Sequence, residues 1–291
     1  TLVLAGSNTY TGATSVSAGT LLFTGANAVP IASTITTTGT GLVRLEGGAK
    51  AGNLIGNFNL LVAEDADSTI GDGAFTNGTL RGAVGGPAGL IKTGFGKVTL
   101  AGDNYYTGKT VISSGTLGVS SLNSVLGGSP TSNLGAPSTA SNGTIDLGSL
   151  TNTATLTIGG NGFTTDRVIN LAGTTGGGQI NLTGTGIVKF TSDLTATGAG
   201  SKTLTLLGSS TAVGEIAGAI VDNSATNKTS LAKQGTGTWI LSGASSFSGG
   251  TNLGGGTLIL NNPFALGTGA LTISSPSAFD NASGAAFTLG S

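Results

Sequence analysis

The sequence predicts an all-β chain wound as a right-handed parallel β-helix, a solenoid of roughly 12–14 coils at roughly 20–25 residues per coil. Three observations predict it. A 22-residue phrase recurs in register at Leu2–Phe23, Val98–Val119 and Trp239–Leu260. Short stretches that alternate apolar and polar residues fill much of the remainder, with Gly, Asn, Ser and Thr between them. Finally, 54 of the 291 residues are Gly and only 8% are charged. A coil needs corner residues free of Cβ restrictions, and its outer face is hydrated well enough by Thr, Ser and Asn.

The phrases come first. Gly6–Phe23 reads GSNTYTGATSVSAGTLLF, Gly102–Val119 reads GDNYYTGKTVISSGTLGV and Gly243–Leu260 reads GASSFSGGTNLGGGTLIL. The offsets are 96 and 141 residues, without a gap inside any copy. Gly6, Gly102 and Gly243 correspond, as do Tyr10, Tyr106 and Phe247, then Gly12, Gly108 and Gly249. Each copy closes on Gly-Thr-Leu, beginning at Gly19, Gly115 and Gly256. Copies two and three carry similar lead-ins, LIKTGFGKVTL (Leu90–Leu100) and LAKQGTGTWIL (Leu231–Leu241). The chain opens inside the first phrase. It therefore reads as one β-helix segment, residues 1–291, of a longer chain, with repeat copies at 2–23, 92–119 and 233–260.

Within a copy the expected order is strand, turn, strand. VTL (Val98–Leu100) has period two. Gly102, Asp103 and Asn104 follow, residue types that tolerate positive φ and bond their own backbone in turns. TVISSGTLGV then reads as two short strands with Ser-Gly between them. Between the phrases, LVRLEG, GTIDLGSL, ATLTIGG, RVINLAG, GQINLTG, GIVKFTS, KTLTLLG and GALTIS read as further strands. No segment has helical period. A globular β-sandwich would also use short strands, but it leaves three in-register phrases unexplained.

Composition excludes several chemistries. There is no Cys, His or Met. That removes disulfides, the usual zinc ligands and every Ser–His or Cys–His nucleophile. It suits export into an oxidising space. The 11 basic residues are scattered singly, so no stripe exists to neutralise nucleic-acid phosphates. No apolar run approaches the ~20 residues of a membrane-spanning helix.

At LIKTGFGKVTLAGDNYYTGKTVISSGTLGV (Leu90–Val119) the chain resembles the autotransporter-associated β-strand repeat, also called the passenger-associated transport repeat. Lys92, Gly94, Gly96, Leu100, Gly102, Asn104, Tyr106, Thr107, Gly108, Thr110, Gly115, Thr116 and Leu117 fit the family pattern. The third copy departs from it at Ser245, Phe247, Ser248 and Leu253. NNPFALGTGALTI (Asn261–Ile273) resembles the segment that often follows the repeat. The resemblance implies a large bacterial surface or secreted protein built as a β-helix, commonly followed by an outer-membrane barrel. It also implies a role in passenger secretion and folding. The expected function is a non-enzymatic extracellular scaffold, a stalk or adhesin-like fibre segment. The alternative is a polysaccharide-binding or polysaccharide-cleaving β-helix.

Candidate sites are few. Gly102–Thr110 (GDNYYTGKT) looks like a phosphate loop, but five residues separate its glycines instead of four, and Lys109 is Ala13 or Gly250 in the other copies. Glu64, Asp65, Asp67 and Asp72 form a carboxylate cluster that is a weak Ca²⁺ candidate, without EF-hand spacing. Asp146, Asp166, Asp193 and Glu215 are isolated and read as surface polar groups, although a glycosidase needs only two facing carboxylates. Tyr10, Tyr106 and Phe247 read as a plug over a strand corner rather than a stacking strip for a ligand. The Thr-rich stretches lack the regularity of an ice-binding ladder. No catalytic residue, cofactor site or nucleic-acid partner is expected, nor any direct membrane insertion. The expected partners are adjoining coils of the longer chain or head-to-tail copies in a fibre, with surface glycans as a further class.

Overall fold

The computed structural model describes residues 1–24, 28, 34–38, 41–46, 50–51, 53–56, 60–63, 77–80, 83–87, 89–127, 131–209 and 211–286. The chain divides into two compact units, Thr1–Gly143 and Thr144–Ser291. Each is built from parallel ladders in which one strand is hydrogen-bonded to the equivalent strand of the next winding.

In the first unit, Leu2–Leu4 pairs with Thr20–Thr24, which pairs with Leu42–Glu46. Thr14–Val16 leads a second ladder through Thr34–Thr37 and Asn53–Gly56 to Val84–Gly85. A third runs from Leu60–Ala63 through Leu90–Thr93 to Thr110–Ile112. A fourth joins Lys50–Ala51, Asn77–Leu80, Lys97–Leu100 and Gly115–Val119.

The second unit has a six-strand ladder: Ala154–Ile158, Gly178–Leu182, Lys202–Gly208, Thr229–Lys233, Thr251–Leu253 and Leu271–Ile273. A second ladder of six joins Phe163–Thr165, Ile187–Phe190, Val213–Ile216, Thr238–Leu241, Thr257–Leu260 and Ala278–Asn281. Ile145–Leu147 pairs with Ile169–Leu171.

Every one of these strand pairs is parallel, so the expected solenoid class is borne out. The described strands make about nine turns, fewer than the expected 12–14. That expectation divided the whole length by one coil size. Stretches of the chain lie outside the described residues, and partner offsets vary from 19 residues (Val98↔Leu117) to 30 (Leu60↔Leu90). One helical turn, Ala140–Gly143, interrupts the strands although no helix was expected. Its start is capped by Thr139, whose Oγ1 accepts from the Asn142 amide at 3.3 Å.

Parallel register turns each inward position into a stack. In the second unit Val188, Gly214, Trp239 and Leu258 lie in one row, and the row is buried. Small sits beside large: a Cβ on Gly214 would come within 2.5 Å of the Trp239 ring. Trp239 is fully buried, and its Nε1 donates to the Leu207 carbonyl at 3.0 Å. Burying one Leu or Ile side chain is worth roughly 1.5–3 kcal/mol, and such rows repeat along each unit. Among the described residues no helix is long and apolar enough to cross a membrane.

Candidate functional site at the repeat corner

The repeat is a strand pair stacked on itself. In the second copy, Leu90 pairs with Thr110 and Lys92 with Ile112, while Lys97 pairs with Thr116. The third copy reproduces this register: Leu231 with Thr251, Lys233 with Leu253, Thr238 with Thr257. In the first copy Leu2 pairs with Leu21, the equivalent of Val98 with Leu117. The lead-in and the body of a copy therefore occupy successive windings, and the corner between the two body strands is where they meet.

That corner holds a buried cation. Lys92 and Lys233 are both fully buried and occupy inward rows. The Lys92 Nζ donates to the carbonyls of Thr93 (2.5 Å), Gly94 (2.9 Å) and Ser114 (3.3 Å). The Lys233 Nζ donates to Gln234 (2.9 Å), Gly235 (3.4 Å) and Gly255 (2.9 Å). Two acceptors lie in the lysine's own turn and the third lies one winding on. Three carbonyl dipoles offset the cost of taking an ammonium out of water. Burial nevertheless pushes the Lys233 ammonium down to about 8.

The aromatic position is tied to a threonine four residues later. The Tyr106 hydroxyl is 2.7 Å from Thr110 Oγ1, and Thr14 Oγ1 donates to the Tyr10 hydroxyl at 3.2 Å. Phe247 has no hydroxyl, and Thr251 Oγ1 is buried without a hydrogen-bond partner. Tyr106 and Phe247 are fully buried, so neither offers a ring face to a ligand.

Asn104 bridges windings on both sides. Its Oδ1 accepts from the Val84 amide at 2.7 Å and its Nδ2 donates to the Asn133 carbonyl. Asn8 Nδ2 donates to Ala28 O at 2.6 Å. Ser245 keeps only the acceptor function, taking the Ile220 amide at 3.1 Å.

Among the shared glycines, the left-handed conformation falls on the last: φ is 74° at Gly19, 65° at Gly115 and 67° at Gly256. The expected positive φ in the Gly102–Asn104 turn is not used, and the turn is held by the Asn104 side chain instead. Gly243 and Gly249 serve close approach: a Cβ would lie 2.1 Å from Gly218 O and 2.4 Å from Ser230 Oγ, respectively. A Cβ on Gly6 or Gly12 would meet nothing within 4 Å. Gly102 accepts from Asn133 Nδ2 through its carbonyl at 2.9 Å, and Gly108 lies beside Lys109, whose carbonyl accepts from the Leu90 amide at 2.9 Å.

The isolated carboxylates tie windings together. Asp146 Oδ1 accepts from Asn170 Nδ2 at 2.7 Å, and Asp193 Oδ1 from the Ala219 amide at 2.7 Å. Glu215 accepts from Ser242 Oγ at 2.8 Å and pairs with Lys189 at 2.9 Å. Asp222, which the sequence reading passed over, accepts from the Thr229 amide, the Ser248 amide and the Ser248 hydroxyl. Among the described residues no three carboxylates gather to hold a metal ion. The Glu64, Asp65, Asp67 and Asp72 cluster lies outside the described residues.

Sequence reasoning gave Lys92 and Lys233 no role beyond the family pattern. The available signal was parity: each lies two residues after an inward Leu, on the same side of its strand.

The geometry defines a parallel β-solenoid whose recurring corner is a device for stacking windings. A family model described as Passenger-associated-transport-repeat matches residues 1–27, 90–119 and 231–260. The chain carries three copies of that repeat. It is 36% identical over 158 residues, 52% of its length, to a protein named Adhesin BmaC autotransporter from Brucella suis biovar 1 (strain 1330). The chain spans 4% of the length of that relative. No solved structure matches it.

Proposed function

We propose that this chain is a non-enzymatic segment of an autotransporter-type passenger, an extracellular structural scaffold that serves as a stalk or adhesin-like fibre. The observation that carries this reading is the use made of the corner's polar groups. The lysines and Asn104 bond neighbouring windings, the Tyr–Thr pair closes on itself inside the corner, and Asp146 and Asp193 bond the next winding. An enzyme or a sugar-cleaving cleft would hold such groups toward a substrate. The name of the similar Brucella protein supports an adhesin context at the bacterial surface or in secreted form. In that setting the partners of the segment are further coils, other copies, or surface glycans.

The test is to incubate the purified chain with a panel of acidic and neutral polysaccharides and with a glycan array. No release of reducing or unsaturated ends is expected. Turnover of any polysaccharide that is lost on substituting Asp146, Asp193 or Glu215 would overturn the scaffold reading.

A further inference from the structure

The dipeptide Asn-Gly occurs three times, at Asn77-Gly78, Asn142-Gly143 and Asn161-Gly162. In such a pair the asparagine carboxamide is open to attack by the next backbone nitrogen, because glycine puts no Cβ in the way. The attacking nitrogen must give up its proton, so a peptide N–H already held in a hydrogen bond is a poor nucleophile. The three sites differ in this respect. The Gly143 amide donates to Thr139 O at 2.8 Å, and Gly143 is buried in the helical turn. Asn77 and Gly78 lie within the strand Asn77–Leu80, in register with Lys97 and Val98. Asn161 is exposed, and its carboxamide makes no hydrogen bond among the described residues. The Gly162 amide also has no partner among them. The residue sits in the corner between Ala154–Ile158 and Phe163–Thr165, flanked by left-handed glycines with φ of 83° at Gly160 and 92° at Gly162.

We infer that Asn161-Gly162 is a self-modification site, at which the chain converts its own asparagine to aspartate and isoaspartate. The Gly162 nitrogen loses its proton to water or hydroxide and bonds to the Asn161 Cγ. The Cγ–Nδ2 bond breaks, and Nδ2 leaves as ammonia. Water then opens the five-membered succinimide at one of its two carbonyls. Opening at Cγ leaves an ordinary aspartate. Opening at the backbone carbon leaves isoaspartate, whose main chain runs through the side chain and is one carbon longer. Both products add one negative charge. Water is the sole co-reactant, and no oxidant, cofactor or enzyme is needed.

The corner has no room for the longer main chain. The next winding stacks on it backbone to backbone, through glycines. A Cβ on Gly184 would collide with Gly160 O, and one on Gly186 with Asn161 O. A Cβ on Gly162 would lie 2.5 Å from Ile187 O and 2.6 Å from Ile187 N. The isoaspartyl form therefore lifts the corner away and frees Phe163–Thr165 from Ile187–Phe190, the strand it pairs with. The aspartyl form keeps the chain length and leaves that ladder in place. The reaction is independent of the scaffold role and would run equally in a chain that binds or cleaves a sugar.

The experiment holds the whole chain at mildly alkaline pH and samples it over weeks. Cleavage before Asp146 and Asp166 puts Asn142 and Asn161 in separate peptides, and mass spectrometry reads amide-to-acid conversion in each. Conversion at Asn161 is expected to be at least tenfold faster than at Asn142. In guanidinium, where Thr139 no longer holds the Gly143 amide, the two rates should come within about twofold of each other. Asn161→Gln, which needs a larger ring and loses no contact, should abolish conversion in its peptide and leave the urea midpoint unchanged. Amide exchange in Phe163–Thr165 should quicken as the isoaspartyl fraction grows and stay slow in Asn161→Asp. Equal rates at the two sites in the folded chain, or a faster Asn142, overturn the assignment. So does an Asn161 that stays intact while the unfolded chain converts. Isoaspartate that forms without faster exchange overturns the release of the strand.

Discussion

The Tyr106 hydroxyl and Thr110 Oγ1 lie 2.7 Å apart inside a corner that excludes solvent from both side chains. The third copy retains the threonine, as Thr251, and lacks its partner because Phe247 replaces the tyrosine. One buried hydroxyl is thus left unsatisfied in an otherwise matching register. Phe247→Tyr should restore the bond and stabilise the second unit by about 1 kcal/mol. Trp239 is the only tryptophan and is fully buried, so its emission reports the unfolding midpoint in urea. A midpoint unchanged or lowered by the substitution would mean that the corner cannot admit the hydroxyl. Tyr106→Phe is the converse. It should speed amide exchange in Thr110–Ile112, because Thr110 loses the same bond.

The buried lysines invite a second substitution. Lys233→Met keeps the apolar stem and removes the donors to Gln234, Gly235 and Gly255. Removing the ammonium also removes its desolvation cost, so the two effects oppose each other. Desolvation outweighs what the charge itself gains, as the lowered pKa shows, so the loss comes from the corner carbonyls that are left without a donor, and a net loss of about 2 kcal/mol is expected. The urea midpoint of Trp239 emission checks it. A more stable Met variant would show that the cation is tolerated rather than needed.

The same lysine sets a pH dependence. Its ordinary pKa of 10.5 falls to about 8 in the folded chain through burial. Between those values the unfolded chain holds the proton and the folded chain has released it. The unfolded state then binds more protons, so stability rises as pH rises from about 8 to 10.5. Below 8 both states are protonated and the contribution is flat. The neutral amine keeps two hydrogens for the corner carbonyls, so the corner survives the titration. Relative to Lys233→Met, the wild-type midpoint should climb across this window. Parallel curves would place the ammonium in water.

The solenoid was legible because its evidence is periodic. Three phrases in register, with strands of period two, leave little other than stacked windings, and Ala154–Ile158, Gly178–Leu182 and Lys202–Gly208 fall where alternation places them. The corner was less legible. Alternation separates inward from outward positions, and it reads an inward lysine or threonine as an exception. Lys233 is in fact inward, because its ammonium reaches the Gly255 carbonyl 22 residues on in the next winding, and Thr251 is inward beside Phe247, which offers its hydroxyl no partner. The glycines were misassigned for a related reason. Gly102 and Asn104 look like a left-handed turn, yet the left-handed residue is Gly115, and only the backbone of the adjoining winding makes that visible.

Trp239 and its small neighbour make a further test. Gly214 sits beneath the indole in the inward row, where a Cβ would approach the ring to 2.5 Å. Gly214→Ala should push the ring off its place and lengthen its bond to Leu207 O. Overpacking of this kind costs about 1–3 kcal/mol. The expected result is a red shift of native-state emission together with a lower urea midpoint. Unchanged emission would mean that the row absorbs the methyl by moving Val188 or Leu258 instead.

The three last glycines of the repeat give a graded prediction from one substitution. All have φ between 65° and 74°, so replacement by Ala costs each about 1–2 kcal/mol of backbone strain. Gly19 pays nothing further, because its Cβ would enter open space. Gly115→Ala and Gly256→Ala also drive a methyl to within 2.4–2.6 Å of two backbone carbonyls of the lead-in. Backbone oxygens cannot swing aside as a side chain can, so the winding itself must separate. The expected order is a small loss for Gly19→Ala and a loss at least twice as large for the other two. Hydrogen exchange of Thr20–Thr24, Gly115–Val119 and Thr257–Leu260 measures each locally. Equal losses at all three sites would show that strain at the glycine, and not contact with the preceding winding, governs this corner.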